Sequence, residues 1–205
     1  MVFQRIEGYP KISDFVAIDF ETATEKSPYQ IGMAVVKEGV IIKTINRLIK
    51  PLNNIYNPYT ISVHHITPEK TRNQPEFPEV WNDIKDYFDE AVIVAHNARF
   101  DMSVLQSVLD AYGLPYPKII GYICTCDLNN REGLELACAR YGICLENHHD
   151  GEDDAVNCAK LYLAYVNDES RCSDKDLPQE LFQKSTKNSF FNYAFEGHDV
   201  LNGNV

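Results

Sequence analysis

Asp19 and Glu21 stand two residues apart in Val16-Ala-Ile-Asp-Phe-Glu-Thr-Ala-Thr24, a run that otherwise reads as a buried strand. Side chains alternate along a strand, so the two carboxylates share one face. Like charges so placed repel unless a basic residue or a metal ion lies between them. Two further carboxylates occur where elements should begin. Asp101 follows the apolar run at 91–95 within His96-Asn-Ala-Arg-Phe-Asp101, and Asp154 leads into the helical run at 155–166. Each of these alone has an ordinary explanation as a helix cap. The strand pair does not, because buried strands rarely turn charges inward without partners. If the ends of these elements meet, four carboxylates converge without basic partners. Such a set suits two hard divalent cations, Mg²⁺ or Mn²⁺. Two such ions roughly 4 Å apart are the usual device for phosphodiester hydrolysis, activating water and stabilising the leaving oxygen.

That chemistry also needs a proton acceptor, and six histidines are available. His149 lies five residues before Asp154, and an imidazole can accept a proton at neutral pH. His96, at the end of an apolar run, reads as a structural or positioning residue. His64, His65 and His148 are ambiguous by spacing, and His198 reads as solvated.

The elements that must position these groups follow from periodicity. Residues 15–21, 31–36 and 40–49 read as an antiparallel meander, with Glu38-Gly39 as the turn and Pro51 as the end. A Pro/Asn-rich loop follows. Apolar spacing predicts a helix over 77–88, a fully buried strand over 91–95 and a helix from Asp101 to the stop at Gly113. Residues 118–126 read as a strand, 134–141 as a short helix ended by Gly142, and 155–166 as a third clear helix. Strands giving way to alternating helix and strand imply an α/β fold with a mixed sheet. The reading places one domain at 1–170. Residues 171–205 read as a tail or linker, open to a further module beyond it.

Bulk properties narrow the classes. The 205-residue chain is 44% hydrophobic, enough for a core, and no apolar run reaches membrane-spanning length. The six cysteines lack paired metal-type spacing and no export signal is visible, so they read as reduced thiols in a cytoplasmic protein. The net charge of −11 argues against a broad basic surface that grips nucleic acid. It is compatible with an acidic site whose bound cations do the gripping.

Three motifs, Asp19-Phe-Glu-Thr22, His96-Asn-Ala-Arg-Phe-Asp101 and His148-His-Asp-Gly-Glu-Asp-Asp-Ala155, occur in the order and spacing of the DEDDh 3′–5′ exonucleases. Over residues 15 to 166 the chain resembles that family, in particular the epsilon-like proofreading exonucleases of bacterial DNA polymerase III. The resemblance implies a ribonuclease H-like fold, with a mixed five-stranded sheet flanked by helices. It implies that Asp19, Glu21, Asp101 and Asp154 bind two Mg²⁺ or Mn²⁺ ions and that His149 is the general base. The tyrosine subclass places its tyrosine four residues before the last aspartate. That position here is Asp150, with histidine five before. His64-His-Ile-Thr67 resembles the family's H-x-I-T segment, which implies that His65 and Ile66 touch the 3′-terminal nucleotide. Thr22 and Phe100 flank the motifs and are expected in the same cleft, Thr22 through its backbone N–H. Phe20 alternates away from the acids and is expected in the core.

The implied activity is removal of nucleoside 5′-monophosphates from a single-stranded or frayed 3′ end of DNA, in replication proofreading or repair. Polymerase or other replication and repair proteins are the implied partners, with no membrane partner. Two other readings stay open. One is an RNA exonuclease like ribonuclease T or oligoribonuclease, since no residue here reveals how a 2′-OH would be read. The other is a non-catalytic nucleic-acid-binding module, which presence of all four acids and the histidine disfavours.

Overall fold

The computed structural model describes residues 2–8, 10–24, 26–145 and 150–168, and for Val63 only the backbone. Three long strands form the expected meander: β1 (Phe15–Thr24), β2 (Ser27–Lys37) and β3 (Val40–Leu48). Glu38 and Gly39 turn between the last two with positive φ, 50° and 75°. β4 (Val92–Ala95) and β5 (Gly121–Cys124) complete a sheet of order β3-β2-β1-β4-β5. β1–β2 and β2–β3 pair antiparallel, whereas β1–β4 and β4–β5 pair parallel. The sheet is therefore mixed and five-stranded, as expected.

Helices cover both faces: α1 (Pro58–His64), α2 (Pro68–Thr71), α3 (Phe77–Ile84), α4 (Ala98–Tyr112), α5 (Thr125–Leu128), α6 (Leu134–Arg140) and α7 (Gly151–Asn167). Val16, Ile18 and Phe20 join Ile31, Met33, α3 and α4 in one core. Phe15 and Ala17 face the other way, into a second core with Ala34, Val36, α6 and α7. Asp19 and Glu21 continue the second row, on the face covered by α7. Phe20 is in the core, as its alternation predicts.

Several boundaries differ from the sequence reading for physical reasons. The Pro/Asn-rich segment is not all loop. Asn57 caps α1 by accepting from the Tyr59 N–H, and Pro58 sits at the first helical position, where its missing N–H costs nothing. The second helix begins at Ala98, not Asp101, after Asn97 takes the left-handed conformation (φ 61°, ψ 43°). Asp101 therefore lies in the first turn and is not the cap. The last helix begins at Gly151, with Asp150 as its cap. Asp154 is thus one turn inside, its N–H donating to the Asp150 carbonyl at 2.9 Å. The strand predicted over 118–126 shortens to β5, because α5 starts at Thr125. The helix over 77–88 ends as a 3₁₀ turn at Lys85–Tyr87. Gly113 ends α4 as expected, with φ 63°.

Two close backbone approaches set the assembly. A Cβ on Gly32 would lie 1.8 Å from the Gly151 carbonyl oxygen, so β2 meets the start of α7 main chain to main chain. At the opposite edge, residues 4–6 run beside β5. The Ile6 N–H donates to the Tyr122 carbonyl (2.9 Å) and the Tyr122 N–H to the Gln4 carbonyl (3.0 Å). A Cβ on Gly121 would meet Ile6 Cγ1 at 2.8 Å.

The first contact yields a test. Gly32→Ala should lower unfolding free energy by at least the about 1–3 kcal/mol that overpacking costs, read from urea midpoints.

Candidate active site

β1 carries Asp19 and Glu21 to the cleft as neighbours on one face. The β1–β2 register shifts just after Glu21, which pairs with Gln30, while Thr22 pairs with Pro28. The irregularity leaves Tyr29 between them, fully buried. Its hydroxyl donates to Glu21 Oε2 at 3.5 Å. α7 supplies Asp154 and α4 supplies Asp101, both buried. Carboxylate oxygens of Asp19, Glu21 and Asp154 can all lie within 4.8 Å of one another. Asp101 lines the same cleft, and its Oδ1 accepts from the Phe20 N–H at 2.9 Å. Phe20 lies beyond the part of β1 that pairs with β4, at Val16 and Ala17. Asp101 thus satisfies a strand N–H that has no neighbouring strand there and ties α4 to the acidic row.

The cleft has a volume of about 230 Å³. Among the described residues its lining includes all four acids with Thr22, His96 and Phe100, and contains no lysine or arginine. Burial raises three of these acids, Asp19, Glu21 and Asp101. Burial holds the Asp19 carboxyl well above its usual range, reinforced by the charges of Asp101, Glu21 and Asp154. Burial, then the Asp154 charge, raises Glu21 to about 7, with the Tyr29 hydroxyl pulling the other way. Burial raises Asp101 to about 8 against the Phe20 N–H, which favours the charged form. Acids that disfavour their own ionisation so strongly form a donor set that a divalent cation would complete. The residues present therefore fit the expected metal ions.

The sequence-predicted contacts divide between two places. Thr22 and Phe100 line the carboxylate cleft, Phe100 with its ring 38% exposed. Ile66 lines a larger neighbouring cavity of about 700 Å³, with His64, Gln30, Asn46 and Asp150. His65 is exposed, takes φ 57° as the end of α1, and lines neither. His64 faces inward instead. Its ring centroid is 4.5 Å from that of Tyr29, and its Nδ1 accepts from the Ile66 N–H at 2.9 Å. His149 lies outside the described residues, as do His148, His198 and the tail at 171–205. His96 matches its structural reading. A carbonyl can only accept, so Nε2 carries the proton that goes to Glu132 O (2.9 Å). Nδ1 of the neutral ring then accepts from Thr125 Oγ1 (2.9 Å). The ring thereby fixes the 125–132 segment beside the cleft.

Tyr29, Gln30, Asn46 and Asp150 escaped the sequence reading as parts of this site. The readable signal was polarity out of place: Gln30 and Gly32 interrupt an apolar run in a strand that is buried on both sides.

A mixed sheet whose central strand brings two acids to two more, on helices from either face, is the arrangement of a nuclease-type site. A family profile described as exonuclease, of the ribonuclease T type, matches residues 16–162, and the chain belongs to that family. Relatives include the DNA polymerase III PolC-type protein of Staphylococcus haemolyticus, 28% identical over 185 residues, 83% of this chain and 13% of that protein. The PolC-type polymerase of Staphylococcus aureus is 29% identical over 167 residues, 76% of this chain and 12% of the relative. The chain thus spans about an eighth of these polymerases. Among solved structures, exonuclease X in complex with 5′-overhanging duplex DNA superposes with a TM-score of 0.62 at 23% identity, over 79% of this chain and 96% of that one. A 3′-exonuclease in a structure of histone mRNA stem-loop recognition gives 0.64 at 16% identity, over 77% and 65%. The fold is the expected ribonuclease H-like one.

The raised carboxyls make stability depend on pH in a stated direction. An acid whose folded pKa lies above its unfolded value stabilises fully below the unfolded pKa and loses that contribution as pH rises. Without divalent cations, the melting temperature should fall as pH rises from the ordinary carboxylate range through about 7 to 8, the values for Glu21 and Asp101. Adding Mn²⁺ at the upper end should restore it, and Asp154→Asn should flatten the fall. Thermal unfolding with and without chelator measures all three.

Proposed function

We propose that the protein is a divalent-metal-dependent 3′–5′ exonuclease that shortens DNA and releases nucleoside 5′-monophosphates. The observation that carries this reading is the convergence of Asp19, Glu21, Asp101 and Asp154 in one cleft whose lining, among the described residues, has no lysine or arginine. These four residues would hold two ions, Mg²⁺ or Mn²⁺. When bound, such ions supply positive charge to the scissile phosphate and make attacking water more acidic. His149 is the proposed base, taking the proton from that water. Phe100 and Ile66 offer apolar surface to the terminal nucleoside, His65 a contact from the exposed corner after α1, and the Thr22 N–H a donor to the terminal sugar. Family membership supports the nuclease chemistry, and the DNA polymerase relatives support DNA over RNA. Those bacterial relatives also support a cytoplasmic role in replication or repair, with polymerase or other repair proteins as partners. No helix among the described residues is long and apolar enough to cross a membrane.

A 5′-labelled single strand should give a descending ladder in Mg²⁺ or Mn²⁺ and none in chelator, with nucleoside 5′-monophosphates as products. Asp19→Ala or Asp154→Ala should cost more than about a hundredfold, beyond what loss of an outer partner of a metal ligand costs. Full activity in either variant overturns the assignment. His149→Ala should slow cleavage about 10²–10⁴-fold and remove the fall in rate at low pH. Matched DNA and RNA strands in the same assay decide the substrate, and faster cleavage of RNA overturns the DNA reading.

A further inference from the structure

We propose that Gln30 and Asn46 are positioning residues that latch the start of α7 to the sheet and thereby set the divalent-cation affinity of the carboxylate group. The inference rests on the metal-dependent reading above and names residues that act through Asp150. Gln30 is buried within β2, and Asn46 lies beside it on β3. Gln30 Nε2 donates to Asn46 Oδ1 at 2.9 Å and to Asp150 Oδ2 at 3.3 Å. Asn46 Nδ2 donates to Asp150 Oδ1 at 3.4 Å. The same Oδ1 accepts from the Glu152 N–H at 3.0 Å and the Asp153 N–H at 3.4 Å. One carboxylate thus joins two neighbouring strands to the first turn of a helix.

Two consequences follow for the metal group. The Asp154 N–H bonds the Asp150 carbonyl, so whatever fixes Asp150 fixes the turn that presents the Asp154 carboxylate to Asp19 and Glu21. The Gly32–Gly151 contact sets how closely α7 approaches β2. The amide latch adds a polar tie to β3 at the first turn of the helix, the turn that carries Asp154. The latch also occupies both oxygens of Asp150, so this fifth carboxylate is held to the amides and the helix end. Groups that orient metal ligands from behind tune affinity although they never touch the ion.

The test compares the parent protein with Gln30→Met, which keeps the side-chain volume and removes the donors. A second variant, Asp150→Ser, keeps a helix-capping hydroxyl but cannot reach both amides. Mn²⁺ affinity, measured by calorimetry without nucleic acid, should weaken by about tenfold or more in both variants, the range for outer partners of metal ligands. Amide exchange at residues 152–154 should quicken in both, while exchange in β1 and β4 stays as in the parent. A purely structural role would lower melting temperature and leave the affinity of the folded fraction unchanged. Affinity within about twofold of the parent in either variant, against that expected range, overturns the proposal. A parent that binds Mn²⁺ yet shortens no polynucleotide overturns the functional reading and leaves the affinity comparison intact. Equal affinities in an active parent overturn the latch alone.

Discussion

The close approach of β2 to the start of α7 is the constraint on which the site depends. Gly32 lets the two backbones come so near, since a Cβ there would lie 1.8 Å from the Gly151 carbonyl oxygen, whereas a Cβ on Gly151 would meet the Gly32 nitrogen at 3.1 Å. The contact decides how deeply the helix sinks against the sheet, and Asp154 rides on its first turn. The packing of Ala155, Ala159 and Tyr162 into the second core then holds the rest of the helix at the depth the glycines set.

The acidic row is the counterpart of this packing. The apolar burial on both faces of the sheet is large enough to hold four carboxyls close together against their mutual repulsion. Phe20 shows how economically the chain does this. Its ring fills one core while its N–H donates to an Asp101 oxygen, so one residue anchors both the strand and an acid on α4. Tyr29 does the same from the other side, its ring buried among Tyr56 and His64 and its hydroxyl on Glu21. Asp101 and Glu21 are thus each engaged by the scaffold, Asp101 through the Phe20 N–H and Glu21 through the Tyr29 hydroxyl.

What could be read in advance followed the range of the physics involved. Alternation acts over two residues, so the shared face of Asp19 and Glu21 and the inward Phe20 were legible from β1 alone. Apolar periodicity placed α4 and α7 but misjudged their first residues. Helix starts depend on caps, and both Asn97 and Asp150 precede the apolar stripe that marks the helix. Pro58 read as a loop residue although it sits at a helix start, where proline is tolerated. The joining of Gln30, Asn46 and Asp150 was invisible because the partners lie 16 to 120 residues apart. Placing His64 inward and His65 outward was equally illegible, because the left-handed residue at 65 rotates the end of α1 away from a regular helix.

The strap at residues 4–6 bears on how the molecule behaves among its own copies. A parallel edge strand exposes a row of unpaired N–H and carbonyl groups that another chain can adopt as a template. Here Gln4 and Ile6 already occupy the groups of Tyr122 on the outer side of β5, and Arg5 is pinned by an ion pair to Asp127 at 3.0 Å. The far edge, β3, carries Lys43 and Arg47, charges that discourage strand pairing. Trimming the first six residues would take Phe3 out of the core and convert a guarded sheet into one that invites edge-to-edge self-association.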